Sequence, residues 1–145
     1  MLIRKITESD RGEYIDMARE FYNSPAVLKS VPEEYFDVMF NECLSSPVYA
    51  ECFILEEGGK AAGYGIILKS FSQEAGGPVI WFDELFIRKE YRGKGFGGQF
   101  FSFIFENFPA ARYRLEVEKE NERAVKLYQR LGFEFLEYDQ MIKEK

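Results

Sequence analysis

The chain has 145 residues, 46% hydrophobic and 17% aromatic, enough apolar surface for one folded domain over residues 1–145 and too much for a disordered tail. A formal net charge of −6 argues against nucleic acid as a partner, because phosphate-backbone binding needs many Lys and Arg. The absence of histidine excludes the Ser-His-Asp triad, the Cys-His pair and every His-containing zinc site, leaving carboxylates, tyrosine, lysine, cysteine, water and backbone donors for any catalysis.

Leu2 to Ile6 predicts a first strand ending at Thr7, and Thr7-Glu8-Ser9-Asp10 offers helix caps. Tyr14, Ala18, Phe21 and Tyr22 recur at helical spacing, so Arg11 to Tyr22 predicts a helix that Asn23-Ser24-Pro25 ends. Ser30 and Glu33 have the spacing of a capping box, with Pro32 in the first turn of a second helix. Its stripe of Tyr35, Phe36, Met39, Phe40, Cys43 and Leu44 reads as core packing; that it walls a ligand pocket with the Pro25 to Val31 loop stays open. Two cysteines, Cys43 and Cys52, make no disulfide framework and read as small buried apolar groups.

Glu51 to Glu56 and Ala61 to Phe71 predict two antiparallel strands around the turn Glu57-Gly58-Gly59-Lys60. Ser72 to Pro78, with Gly76-Gly77-Pro78, predicts a second turn or loop before a strand at Val79 to Ile87. After Gly98, Phe100, Phe101, Ile104, Phe105 and Phe108 predict a helix buried against a sheet. Arg112 to Val117 follows as a strand, and strand, crossover helix and strand imply parallel pairing. Asn121 to Leu131 predicts a last helix with Asn121 as cap and Gly132 as stop. Phe133 to Tyr138 and Asp139 to Ile142 supply one or two short closing strands. The order is that of an α/β (α+β) domain. No apolar run of membrane-spanning length and no signal-peptide pattern at Met1-Leu2-Ile3-Arg4 occurs, so the chain reads as soluble and cytoplasmic, with no membrane partner.

The stretch Trp81 to Gly98, WFDELFIRKEYRGKGFGG, joins an apolar strand with two acidic residues to a glycine-rich basic turn that opens a helix. Glycines let backbone N–H groups approach a ligand closely, and a helix start adds unpaired donors, so the turn suits an anion such as a phosphate. Gly93, Gly95 and Gly98 also fit the G-x-G-x-x-G spacing of dinucleotide-binding folds, but Arg88 to Arg92 separate the strand from the first glycine and only one full crossover follows. Gln99 after Gly98 breaks the phosphate-binding P-loop pattern.

Arg92-Gly93-Lys94-Gly95-Phe96-Gly97 resembles the acetyl-CoA signature of the GNAT superfamily of N-acetyltransferases. The resemblance runs back through Phe82 to Ile87 and forward to Asn121, Ala124, Tyr128 and Leu131-Gly132-Phe133, and the order of elements extends it over essentially the whole chain. It implies a mostly antiparallel sheet with a parallel pair at the acetyl-CoA site, flanked by about four helices. It also implies acetyl-CoA as cosubstrate, with backbone groups of Arg92, Gly93, Lys94, Gly95, Phe96, Gly97 and Gly98 on its pyrophosphate. Main-chain groups of Leu85, Phe86 and Ile87 would pair with the pantetheine arm, and Asn121 and Ala124 would complete the cofactor site.

The implied reaction is direct acetyl transfer to a primary amine in a ternary complex. Asp83 or Glu84 would accept the amine's proton; as strand neighbours they point to opposite faces, so only one faces the site, and Asp83 is slightly preferred. Tyr128 would protonate the leaving thiolate. No metal ligands are visible. Acidic groups and negative charge favour a small cationic amine, with a protein N-terminus or lysine, or a catalytically silent CoA-binding module, as the alternatives. Dimers are common among similar proteins, so the resemblance also raises a homodimer as an expectation.

Overall fold

The computed structural model describes residues 1–145. The chain divides into two compact units, Met1–Leu115 and Glu116–Lys145. In the first, one sheet carries strands in the order β1 (Leu2–Lys5), β2 (Ala50–Glu57), β3 (Lys60–Ser72), β4 (Gly77–Ile87) and β5 (Arg112–Leu115). All neighbours are antiparallel except β4 and β5. That pair is parallel because α3 (Phe96–Asn107) is the crossover between them. Gly58 and Gly59, at φ 57° and 76°, make the two-residue hairpin turn that only residues tolerant of positive φ supply between β2 and β3.

Helices α1 (Arg11–Tyr22) and α2 (Glu34–Ser45) pack on one face of the sheet. There Tyr14, Met17, Ala18, Phe36 and Phe40 meet Cys52, Ile54, Tyr64, Ile66 and Phe86 in one buried cluster. The α2 stripe joins this cluster through Phe36 and Phe40, with Met39 and Cys43 packed against it, while its Tyr35 and Leu44 remain exposed. Helix α3 covers the other face, with Phe82 4.3 Å from Phe101 and Phe53 6.2 Å from Phe100 between ring centroids. A Cβ on Gly65 would lie 2.3 Å from Phe100, so this glycine is what lets the Phe100 ring lie on the sheet.

Three local expectations are corrected. The capping box at Ser30 and Glu33 does not form, and α2 begins at Glu34 with no side-chain cap bond. The Glu33 carboxylate is taken by Arg19, whose Nε and a terminal nitrogen each donate at 2.9 Å. Pro32 lies before the helix, where its carbonyl accepts from Tyr35 N. Pro78 belongs to β4, opposite Phe71; the turn closes earlier, where Gly76 N donates to Ser72 O at 2.9 Å, and a proline next to a strand's first residue forfeits little of the ladder. Finally, β5 stops at Leu115 instead of reaching Val117, because its partner strand is irregular beyond Phe82.

The second unit holds α4 (Glu122–Arg130). The expected closing strands after Phe133 are not present: residues 133–145 have no regular secondary structure. Alternating apolar side chains satisfy a face, but a strand also needs a partner for its backbone groups.

Candidate active site

The site of the first unit is built around an irregularity in β4. Ile66 of β3 pairs with Glu84 while the next residue, Ile67, pairs with Phe82, so Asp83 is the extra residue of a β-bulge. A bulge inverts the alternation of faces. Phe82 therefore points to α3, at 6.1 Å from Phe100, while Phe86 lies on the α1 face with Tyr64 and Phe21. Glu84 joins Phe86 on that face, accepting from Tyr22 Oη at 2.6 Å on Oε2 and from Tyr64 Oη at 2.7 Å on Oε1. Asp83 is exposed. Asp83 and Glu84 are therefore not ordinary strand neighbours on opposite faces, since the bulge falls on Asp83.

Burial pushes the Glu84 carboxyl above the usual carboxylate range, opposed by the Tyr22 and Tyr64 hydrogen bonds and assisted by the nearby charge of Asp83. Burial, followed by Glu84 itself, also holds Tyr22 and Tyr64 firmly protonated, so both remain donors. Neither tyrosine is singled out by the sequence. They lie 62 and 20 positions from Glu84, and each reads there as an ordinary apolar position of a helix face or a strand.

Parallel pairing between β4 and β5 ends at Phe82 and Leu115, so Asp83 to Ile87 continue along an edge that β5 no longer covers. Phe86 O turns toward Gly63 of β3, where an added Cβ would come within 2.2 Å of it. By strand alternation Leu85 and Ile87 direct their backbone groups to the uncovered edge. Of these, Ile87 O already accepts from Arg92 Nε at 2.8 Å.

The glycine-rich turn follows a single 3-10 turn at Lys89–Tyr91. Gly93 and Gly95 have φ of 76° and 80°, which glycine adopts without strain. A Cβ added at Gly93, Gly95 or Gly98 would meet nothing within 4 Å, so the surface above them is open. Gln99 N makes the first helical bond, to Gly95 O at 3.1 Å, which leaves the amides of Phe96, Gly97 and Gly98 ahead of the ladder at the positive end of α3. The Arg92 amide differs, donating to Lys89 O at 3.3 Å. Lys94 Nζ lies over the Tyr91 ring at 5.6 Å. These open, donor-rich glycines fit a pyrophosphate. No group of three or more His, Cys, Asp or Glu is placed to hold a metal ion.

In the second unit Asn121 caps α4, its Oδ1 accepting from Ala124 N at 3.3 Å. Leu131-Gly132-Phe133 closes the same helix: Gly132, at φ 98°, donates to Gln129 O, and Phe133 N donates to Tyr128 O, both at 3.0 Å. That is a Schellman ending, and its usual apolar contact is between the Tyr128 and Phe133 rings, 6.2 Å apart. The glycine and the phenylalanine thus fix the backbone and ring of Tyr128, whose hydroxyl burial holds protonated.

The acetyltransferase (GNAT) family matches residues 13–133. Thialysine N-epsilon-acetyltransferase of Sus scrofa is 27% identical over 148 aligned positions, covering 91% of this chain and 83% of that protein. Spermine/spermidine N(1)-acetyltransferase of Bacillus subtilis is 33% identical over 60 residues, 39% of this chain and 40% of that one. Among solved structures, a possible acetyltransferase from Clostridium difficile superposes with a TM-score of 0.83 at 19% identity, covering 99% of this chain and 97% of its own. Aminoglycoside N-acetyltransferase AAC(6')-Iy in complex with CoA gives 0.79 at 17%, with 99% and 94% covered. With its family matched over most of its length and the fold shared with these structures, the chain belongs to the GNAT family of acetyltransferases.

Proposed function

We propose that this chain, acting as one domain, transfers acetyl from acetyl-CoA directly to the primary amine of a small cationic acceptor in a ternary complex. The observation that carries the reading is the uncovered β4 edge from Asp83 to Ile87 running into open glycines whose amides precede the α3 ladder. Acetyl-CoA would lay its pyrophosphate on the Gly93 to Gly98 amides and its pantetheine along Leu85 and Ile87, as an added strand does. Asn121 and Ala124 remain proposed cofactor contacts in the second unit. Leucine at Gly97, which has no positive φ to disturb, is expected to abolish acetyl-CoA binding in calorimetry; unchanged affinity would remove the assignment.

A bound ammonium has no lone pair. Glu84 takes one proton from it, directly or through water, and the freed pair forms the N–C bond to the acetyl carbonyl while the C–S bond breaks. The Tyr128 hydroxyl gives the departing sulfur its proton, and the proton lost by the new amide nitrogen restores the tyrosine. A net proton leaves through Glu84. Glu84 is preferred to Asp83 because two fixed hydroxyls hold it and its affinity for a proton is raised. Asp83, exposed beside it, supplies negative charge to attract the acceptor. Relatives named for thialysine and for spermine or spermidine support an amine of that class.

The test is mass-spectrometric detection of acetylated product from acetyl-CoA with polyamines, amino sugars, amino acids and basic peptides. A small-amine product is expected. Products confined to peptides would overturn the acceptor class, and acetyl-CoA binding with no product from any of them would point to a silent module.

A further inference from the structure

Glu84 sits among groups that are acidic or neutral. These are Asp83 on its own strand, Tyr14 and Tyr22 on α1, Cys43 on α2, Cys52 on β2 and Tyr64 on β3. Glu84 takes part in no ion pair, and its hydrogen bonds come from the two hydroxyls, one on each oxygen. Those hydroxyls are carried on rings packed among other aromatic side chains. Tyr64 is fully buried between Tyr14, at 5.0 Å, and Phe86, at 6.0 Å. Tyr22 is wedged between Phe21 and Phe36 at 5.2 and 5.5 Å. A carboxylate accepts at about four lone-pair sites, so each oxygen keeps one free while its tyrosine is bound.

We propose that Tyr22 and Tyr64 are positioning residues for acetyl transfer, gripping the two oxygens of Glu84 so that one carboxylate orientation, with a free lone pair on each oxygen, meets the incoming ammonium. This rests on Glu84 being the base. Two neutral donors fix the carboxylate without satisfying its charge, whereas a lysine or arginine would occupy the place of the substrate cation. The acceptor's ammonium is then the first cation Glu84 meets. Fixing a base in one geometry removes a conformational search from the reaction step. Tyr22 ends α1, so the clamp also ties the position of that helix to the base on β4.

The test compares Tyr22→Phe and Tyr64→Phe with the unaltered protein and Glu84→Gln, using protein labelled with carboxyl-13C glutamate; the resonance missing in Glu84→Gln assigns Glu84. Each Tyr→Phe change removes a donor that favours the charged carboxylate, so the Glu84 titration and the acidic limb of kcat/KM, read with spermidine as acceptor, both move to higher pH. Rates on the acid side fall about tenfold, with acetyl-CoA affinity unchanged. A Glu84 titration that stays put in both variants overturns the clamp. A titration that moves while the rate profile does not overturns its role in the reaction; full activity in Glu84→Gln would then trace that failure to the base assignment. Tyr22 is only partly buried, so Tyr22→Phe carries the test if Tyr64→Phe does not fold.

Discussion

A carboxylate withdrawn from water costs folding free energy unless a counter-charge accompanies it. Glu84 has hydroxyl partners, and burial leaves its carboxyl above the ordinary range. For a group so shifted, the folding penalty is absent below the unfolded value, grows as pH rises from there, and is complete above the folded value. Glu84→Gln should therefore raise stability at pH 7 by about 1 kcal/mol, a few degrees in Tm, while lowering kcat. The gain should shrink to nothing below pH 4, and thermal melts at both pH values check it. A Glu84→Gln protein less stable at pH 7 would show that the hydroxyl bonds outweigh the burial. Tyr128→Phe is expected to lose kcat about a hundredfold with acetyl-CoA binding intact; unchanged kcat would remove the proposed acid.

At the scale of elements, β4 carries the proposed site because β3 pairs with it along its length, through the bulge at Asp83, while β5 leaves its other edge beyond Phe82. Gly63 sits opposite Ile87, and a Cβ there would lie 2.2 Å from Phe86 O, a backbone atom that cannot turn away. Gly63→Ala should cost about 2 kcal/mol as the strands shift apart, and it should weaken acetyl-CoA binding through Leu85 and Ile87; urea unfolding and calorimetry read the two effects. Much of this frame was legible in the chain: both glycines of the β2–β3 turn, α1 to the residue, the crossover through α3, and the acidic pair ahead of the glycine turn. The bulge was not, because Phe82, Glu84 and Phe86 alternate perfectly and only pairing with β3 shows Asp83 to be extra. The tyrosine clamp was hidden for the same reason, since local periodicity carries no record of a bond spanning 62 positions. The closing strands failed in the opposite sense: their pattern was present but no ladder received it.

Across the whole molecule, charge is arranged so that some carboxylates hold the fold while Glu84 works against it. Asp10 accepts from two terminal nitrogens of Arg4, at 2.8 and 2.9 Å, and from Thr7 N at 2.7 Å. The Arg4 bonds, against burial and with help from Thr7, keep its carboxyl below the usual range. Glu51 is 4% exposed, and burial raises its affinity for a proton, but Lys5 and Lys69 at 2.7 and 2.5 Å outweigh that and hold it low. Depressed carboxyls stabilise the fold above their unfolded values, and that stability is lost as pH falls through their folded values. Acid should therefore weaken the chain below about pH 4, as these two groups protonate, even as it relieves Glu84. Asp10→Asn should cost about 2 kcal/mol at pH 7, with a difference from the unaltered protein that narrows steadily toward pH 2. Urea midpoints across that range decide the matter: a constant difference would mean that Asp10 acts through packing, and a closing one that the Arg4 pair ties the first strand to the start of α1.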